Sequence, residues 1–184
     1  MGEYMHLLKK SIEFVDWINE WIGKILYPLI FLICLVIFFE VFMRSVFGKP
    51  TLWTFETTQF LFIISTFLAG GHLYREHGHI KVDIIYSRCS KKQQIILDCI
   101  TFPFFLLFIG SLVYFGSEFA LDSLMKFERT GSVWDPVVFP VKFAVPIGAL
   151  LVLLQGICNF IRDIAIYRKA IDPSMPTVED LGSF

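Results

Sequence analysis

Charge is scarce in this chain. Only 18% of its 184 residues are Asp, Glu, Lys or Arg, against about a quarter in an ordinary soluble domain. The formal net charge is −1, which offers nucleic acid no basic surface, so nucleic acid is not expected as a partner. The four cysteines, at 34, 89, 99 and 158, form no CxxC pair. Three fall in apolar blocks and one in a basic loop, a pattern of neither a disulfide framework nor a zinc site. The sequence also lacks a phosphate-cradling loop, a nucleophile set beside a base, an internal repeat and a low-complexity segment. It is therefore read as a non-enzyme with no cofactor. The first 24 residues are of mixed polar character, unlike a secretory signal.

What fills the chain is hydrophobic: 55% of residues, with 21 phenylalanines, at a mean hydropathy of +0.65. The surplus lies in long blocks, which marks an integral membrane protein. Four segments are long and apolar enough to cross a bilayer: 22–43, 52–74, 95–117 and 137–161. At about 1.5 Å per residue each covers a hydrocarbon core of about 30 Å. Only helices satisfy the backbone in lipid without closing a barrel, so the fold class is all-α with four transmembrane helices in one domain. Gly48-Lys49-Pro50 separates the first two spans, Ser90-Lys91-Lys92-Gln93 precedes the third in capping-box form, and Asp135-Pro136 opens the fourth. Pro28, Pro103, Pro140 and Pro146 lie within or near the start of spans, where neighbouring helices tolerate them.

Lys and Arg orient the spans. The N-terminal segment, the 75–94 loop and the tail from 162 hold eleven of them, while the 44–51 and 118–136 loops hold four. The positive-inside rule then places both termini and the 75–94 loop in the cytoplasm. Residues 1–21 read as an amphipathic helix. Lys9, Glu13, Asp16, Glu20 and Lys24 form one face and Leu8, Ile12, Val15, Ile18 and Ile22 the other, with Trp17 and Trp21 at the edges. It lies in the headgroup zone with the Trp pair as anchors, or continues span 1 as one helix. Residues 162–184 read as a cytoplasmic tail.

Charges at span centres are costly, and the centres here are nearly clean. Glu40 and Arg44 stand four apart near the outer end of span 1, and Glu56 lies one turn into span 2. The sequence favours a clamp between Arg44 and Glu56 across the hairpin over a coupling-ion site, because a transport pathway needs several polar groups at mid-membrane. Asp98, Glu118 and Lys142 sit near span ends, within reach of water or headgroups.

Residues 68–83, LAGGHLYREHGHIKVD, gather His72, His77 and His79 beside Arg75, Glu76, Lys81 and Asp83. A haem-carrying membrane anchor of a redox enzyme is the alternative reading they raise. A b-type haem needs two axial histidines from facing helices, and only His72 lies near a span interior. A short cytoplasmic interfacial segment, helix or strand, follows over 80–89, where Ile80, Val82, Ile84 and Ile85 alternate with polar residues. Gly70 and Gly71 admit close approach of another helix.

Taken in order, Arg44, Trp53, Glu56, Gly70 or Gly71, Arg75, His79, Ile80, Val82 and Asp83 resemble the pattern of the small membrane subunit, the Q component, of TRAP (tripartite ATP-independent periplasmic) transporters. Glu40 stands outside that pattern. The resemblance implies a multi-pass protein of the bacterial inner membrane. It implies a scaffold that packs against a large multi-span subunit and has no substrate site of its own. The large subunit would import an organic acid, coupled to sodium, delivered by a periplasmic substrate-binding protein. Membrane lipids are the remaining expected partner.

Overall fold

The computed structural model describes residues 2–76 and 91–171. Among these the chain forms four helices: α1 (Gly2–Phe47), α2 (Thr54–Glu76), α3 (Lys91–Met125) and α4 (Phe139–Ile171). The expected 80–89 segment, with His77, His79, Asp83 and Cys89, and the tail beyond Ile171 lie outside the described residues.

The order in space is α1, α2, α4, α3, with α4 packed on both α3 and α2, and α2 packed on α1. Half of the apolar window of α4 is buried, against 11% in α1 and 6% in α3. The two outer helices thus turn most of their Phe, Leu and Ile side chains away from the bundle.

Among the described residues, three helices are long and apolar enough to cross a membrane: Lys9–Phe47, Ile96–Met125 and Phe139–Ala165. The expectation was four. The 23-residue α2 is long enough but holds more hydroxyls. Three of those hydroxyls bond within their own helix: Thr58 donates to the Thr54 carbonyl at 2.7 Å, and Ser65 and Thr66 donate to the Phe62 carbonyl at 2.9 and 2.8 Å. A hydroxyl bonded to its own backbone leaves no polar group unsatisfied in lipid.

α1 is one helix of 46 residues, so the sections assigned to an interfacial helix and to span 1 are continuous. The inward face also differs from the apolar stripe expected there. Ile12, Asp16, Asn19 and Leu26 are buried, so two polar residues face the bundle. The cause is the length of α4. It runs ten residues past 161, to Ile171, and gives the first section of α1 a helix to pack against. Trp17 and Trp21 project outward, 55% and 51% exposed, in a ladder with Phe14.

The turns follow local chemistry. Gly48 ends α1 at φ 60°, a left-handed conformation that suits glycine. Trp53 accepts the first bond of α2 from Thr57 N–H at 3.0 Å. Asp135, at the opening of the fourth span, does not cap α4. Its carboxylate accepts from Gly131 N–H at 2.9 Å, and the Val138 carbonyl takes the first N–H groups of α4. The loop between α3 and α4 is instead a small antiparallel turn closed by a bridge between Arg129 and Val137.

Candidate functional site: two polar clusters and the open apolar faces

At the end of the bundle where α1 begins and α4 finishes, six residues interlock. Asp16 and Arg162 form an ion pair with both residues over nine-tenths buried. Gln155 donates to Asp16 Oδ1 at 2.9 Å and accepts from Asn19 Nδ2 at 2.7 Å. Asn159 donates to the Tyr74 carbonyl at 3.1 Å, which brings α2 into the same set. The spacing explains the meeting. Asp16 and Asn19 are three apart on α1, and Gln155, Asn159 and Arg162 are four and three apart on α4, so each group lies on one helical face. Around this core, Arg75 Nη2 lies 3.2 Å from Glu20 Oε2, and Lys24 lies 2.8 Å from Glu20 Oε1. These pairs are exposed enough to add little stability each.

Small residues let the helices approach here. A Cβ at Gly71 would overlap Asn19 Oδ1, and one at Gly70 would stand 2.8 Å from Val152. Both glycines therefore face helices of this same chain. The His72 ring lies against Gly23 and meets Tyr27 edge-on, with ring centroids 6.3 Å apart. It is buried and filled around, leaving no room for a porphyrin face. Among the described residues no group of three His, Cys, Asp or Glu is placed to hold a metal. The haem-anchor reading has no support in this arrangement.

At the opposite end, the expected clamp between Arg44 and Glu56 does not form. The Glu40 carboxylate takes that place. It accepts from the Thr51 hydroxyl and from Thr51 N–H, the latter at 3.1 Å, and Thr51 in turn meets the Thr54 hydroxyl. Glu56 accepts from Thr130 at 3.3 Å, which ties the α3–α4 turn to α2. The physical reason is reach. Glu40 lies on the face of α1 that looks into the turn, and the short 48–53 connection delivers Thr51 to it. Trp53 stacks at a tilt on Phe39, centroids 6.1 Å apart. Lys142, expected to reach water, pairs with Glu128 and lies 3.8 Å over the Phe119 ring. That ammonium holds the Glu128 carboxyl below its usual range. Replacing Glu40 with alanine is expected to lower the melting temperature, because Thr51 N–H and the Thr51 hydroxyl lose their acceptor. Thermal melting in detergent checks this, and a Glu40→Gln variant should retain part of the loss.

Sequence reasoning missed Asn19, Gln155 and Asn159 altogether, and read Arg162 as a free cation of the tail. Their shared helical spacing was the available signal.

At the end where α1 begins, the buried polar side chains of α1 and α4 bond chiefly to one another, and the outer faces of α1 and α3 are long and apolar. Such a molecule is an all-helical membrane subunit whose interior holds its own shape. Residues 33–166, well over half of the chain, match the family described as tripartite ATP-independent periplasmic transporters, DctQ component, and the chain belongs to that family. It is also similar to the sialic acid TRAP transporter permease protein SiaT of Haemophilus influenzae (strain 86-028NP), at 24% identity over 148 residues. That match covers 79% of this chain but only 23% of the relative.

Proposed function

We propose that this chain is the static flank of a sodium-coupled importer of an organic acid. In this reading it packs against a large multi-span subunit in the bacterial inner membrane. The large subunit carries the substrate, delivered by a periplasmic binding protein, and this chain has no substrate site. Both termini lie in the cytoplasm. The observation that carries the reading is the buried polar network between Asp16, Asn19, Gln155, Asn159 and Arg162. A moving transport element needs polar groups that exchange partners at mid-membrane; these hold the helices together at one end. The relative adds support, because more than three-quarters of its length lies outside the match. That remainder is long enough to be a large subunit joined to a counterpart of this chain. The sialic acid in that relative's name is a carboxylate and falls in the proposed class.

Reconstitution tests the proposal. Proteoliposomes holding a co-expressed large subunit, with binding protein outside and an inward sodium gradient, are expected to take up a carboxylate only when this chain is present. Full uptake by the large subunit alone would overturn the requirement. Removing the sodium gradient is expected to abolish uptake in the complete system.

A further inference from the structure

Between α1 and α2, at the end nearest the 48–53 turn, lies a groove of about 510 Å³, open along one side. Its walls change character along the helix axis. Ile33, Ile37 and Phe62 line the deep part, while Thr58, Gln59 and Arg44 line the part towards the turn. From Ile33 to Arg44 is eleven residues, or about 16 Å of helix. That is about half of a hydrocarbon core of about 30 Å, the thickness of one leaflet.

The mouth carries one charge of each sign, Glu40 and Arg44. The Glu40 carboxylate is engaged by Thr51 from the turn, while the Arg44 guanidinium is open to an anion. Among the described residues Arg44 forms no ion pair, and it is exposed at the last turn of α1. An exposed guanidinium at the edge of the membrane is a fork-shaped donor set that suits a phosphate oxygen pair.

We propose that this groove is a binding site for one phospholipid of the adjacent leaflet. Its phosphate meets Arg44, with Thr58 and Gln59 beside the glycerol region, and one acyl chain lies along Ile33, Ile37 and Phe62. Three features agree on this occupant: the polar-to-apolar order along the axis, the one-leaflet length, and the exposed guanidinium at the headgroup end. A helix from another protein would match the apolar depth but would have to supply an anion at the mouth.

Native mass spectrometry of the full chain, purified from membranes in mild detergent, tests the assignment. The wild type is expected to retain one phospholipid. Arg44→Gln and Ile37→Trp, which remove the phosphate partner and fill the groove respectively, are expected to lower occupancy about tenfold at limiting phosphatidylglycerol, the scale of losing one charge-assisted contact. Circular dichroism checks that each variant keeps its helices, and if one does not, the other decides. Inorganic phosphate alone is expected to leave the melting temperature unchanged, and diacylglycerol of the same chain length is expected to bind at least tenfold more weakly. Equal retention by both folded variants, equal binding of diacylglycerol, or full stabilisation by inorganic phosphate would each overturn the proposal. So would efficient cross-linking from Cys substituted at Ile37 to a co-purified protein chain rather than to lipid.

Discussion

Replacing Asp16 with alanine is expected to destabilise the bundle by about 3–5 kcal/mol, the cost of leaving a buried partner charge uncompensated. Asp16 and Arg162 are 7% and 6% exposed, so water cannot readily replace the lost carboxylate. Gln155 would lose its acceptor at Asp16 Oδ1 as well. Asp16→Asn separates the two contributions. It keeps an oxygen for Gln155 but removes the charge, and most of the loss is expected to remain. Replacing both partners, Asp16→Leu with Arg162→Met, is expected to recover much of the stability, because two well-packed apolar residues leave no orphan charge. Thermal or denaturant unfolding in a fixed detergent measures all three. A single Asp16→Ala variant that melts like the wild type would show that the pair does not hold α1 to α4.

The second large effect lies where α2 meets α4. A Cβ at Gly148 would fall on the carbonyl carbon and oxygen of Phe67. Backbone cannot swing aside as the end of a side chain can, so the two helices must separate. Gly148→Ala is expected to cost about 1–3 kcal/mol and Gly148→Val more, since overpacking is relieved only by backbone shifts. Gly110 is the matched control, because a Cβ there meets nothing within 4 Å. Gly110→Ala, inside α3, is expected to be neutral or to stabilise by about 0.5–1 kcal/mol through helix propensity. Melting temperatures of the pair, measured side by side, check both signs. If Gly148→Ala and Gly110→Ala behave alike, the α2–α4 approach is looser than the structure describes.

The helices themselves were legible in the sequence because long apolar runs and turn residues such as Gly48 act locally. The contacts between them were less so. Asp16 reads as one more charge on a polar face, and Arg162 as one more cation in a tail, until α4 is seen to continue past 161 and bring them together. Counting Arg162 with the cytoplasmic cations leaves the orientation argument intact when it is removed, at ten against four, but it hides the residue's partner. The 48–53 turn was misread for a related reason. Arg44 and Glu56 carry opposite charges at similar depth, which suggests a pair by Coulomb attraction alone. The carboxylate that closes the turn is Glu40, selected by where the backbone delivers Thr51. Gly70 and Gly71 were recognisable as points of close approach, but not which helix approaches them; Asn19, Leu151 and Val152 answer that from within the chain.

The unbroken run of α1 makes angular phase a property of this protein. Asp16 at one end and Glu40 at the other sit on a single rod, 24 residues apart, and each must face its own partner at once. Each added residue turns everything beyond it by about 100°. One alanine inserted between Ile22 and Leu35 would leave both ends chemically intact, yet only one of them could stay in register. The other would point its carboxylate at lipid. The chain therefore tolerates changes of side chain along the outward face of α1 far better than changes of length.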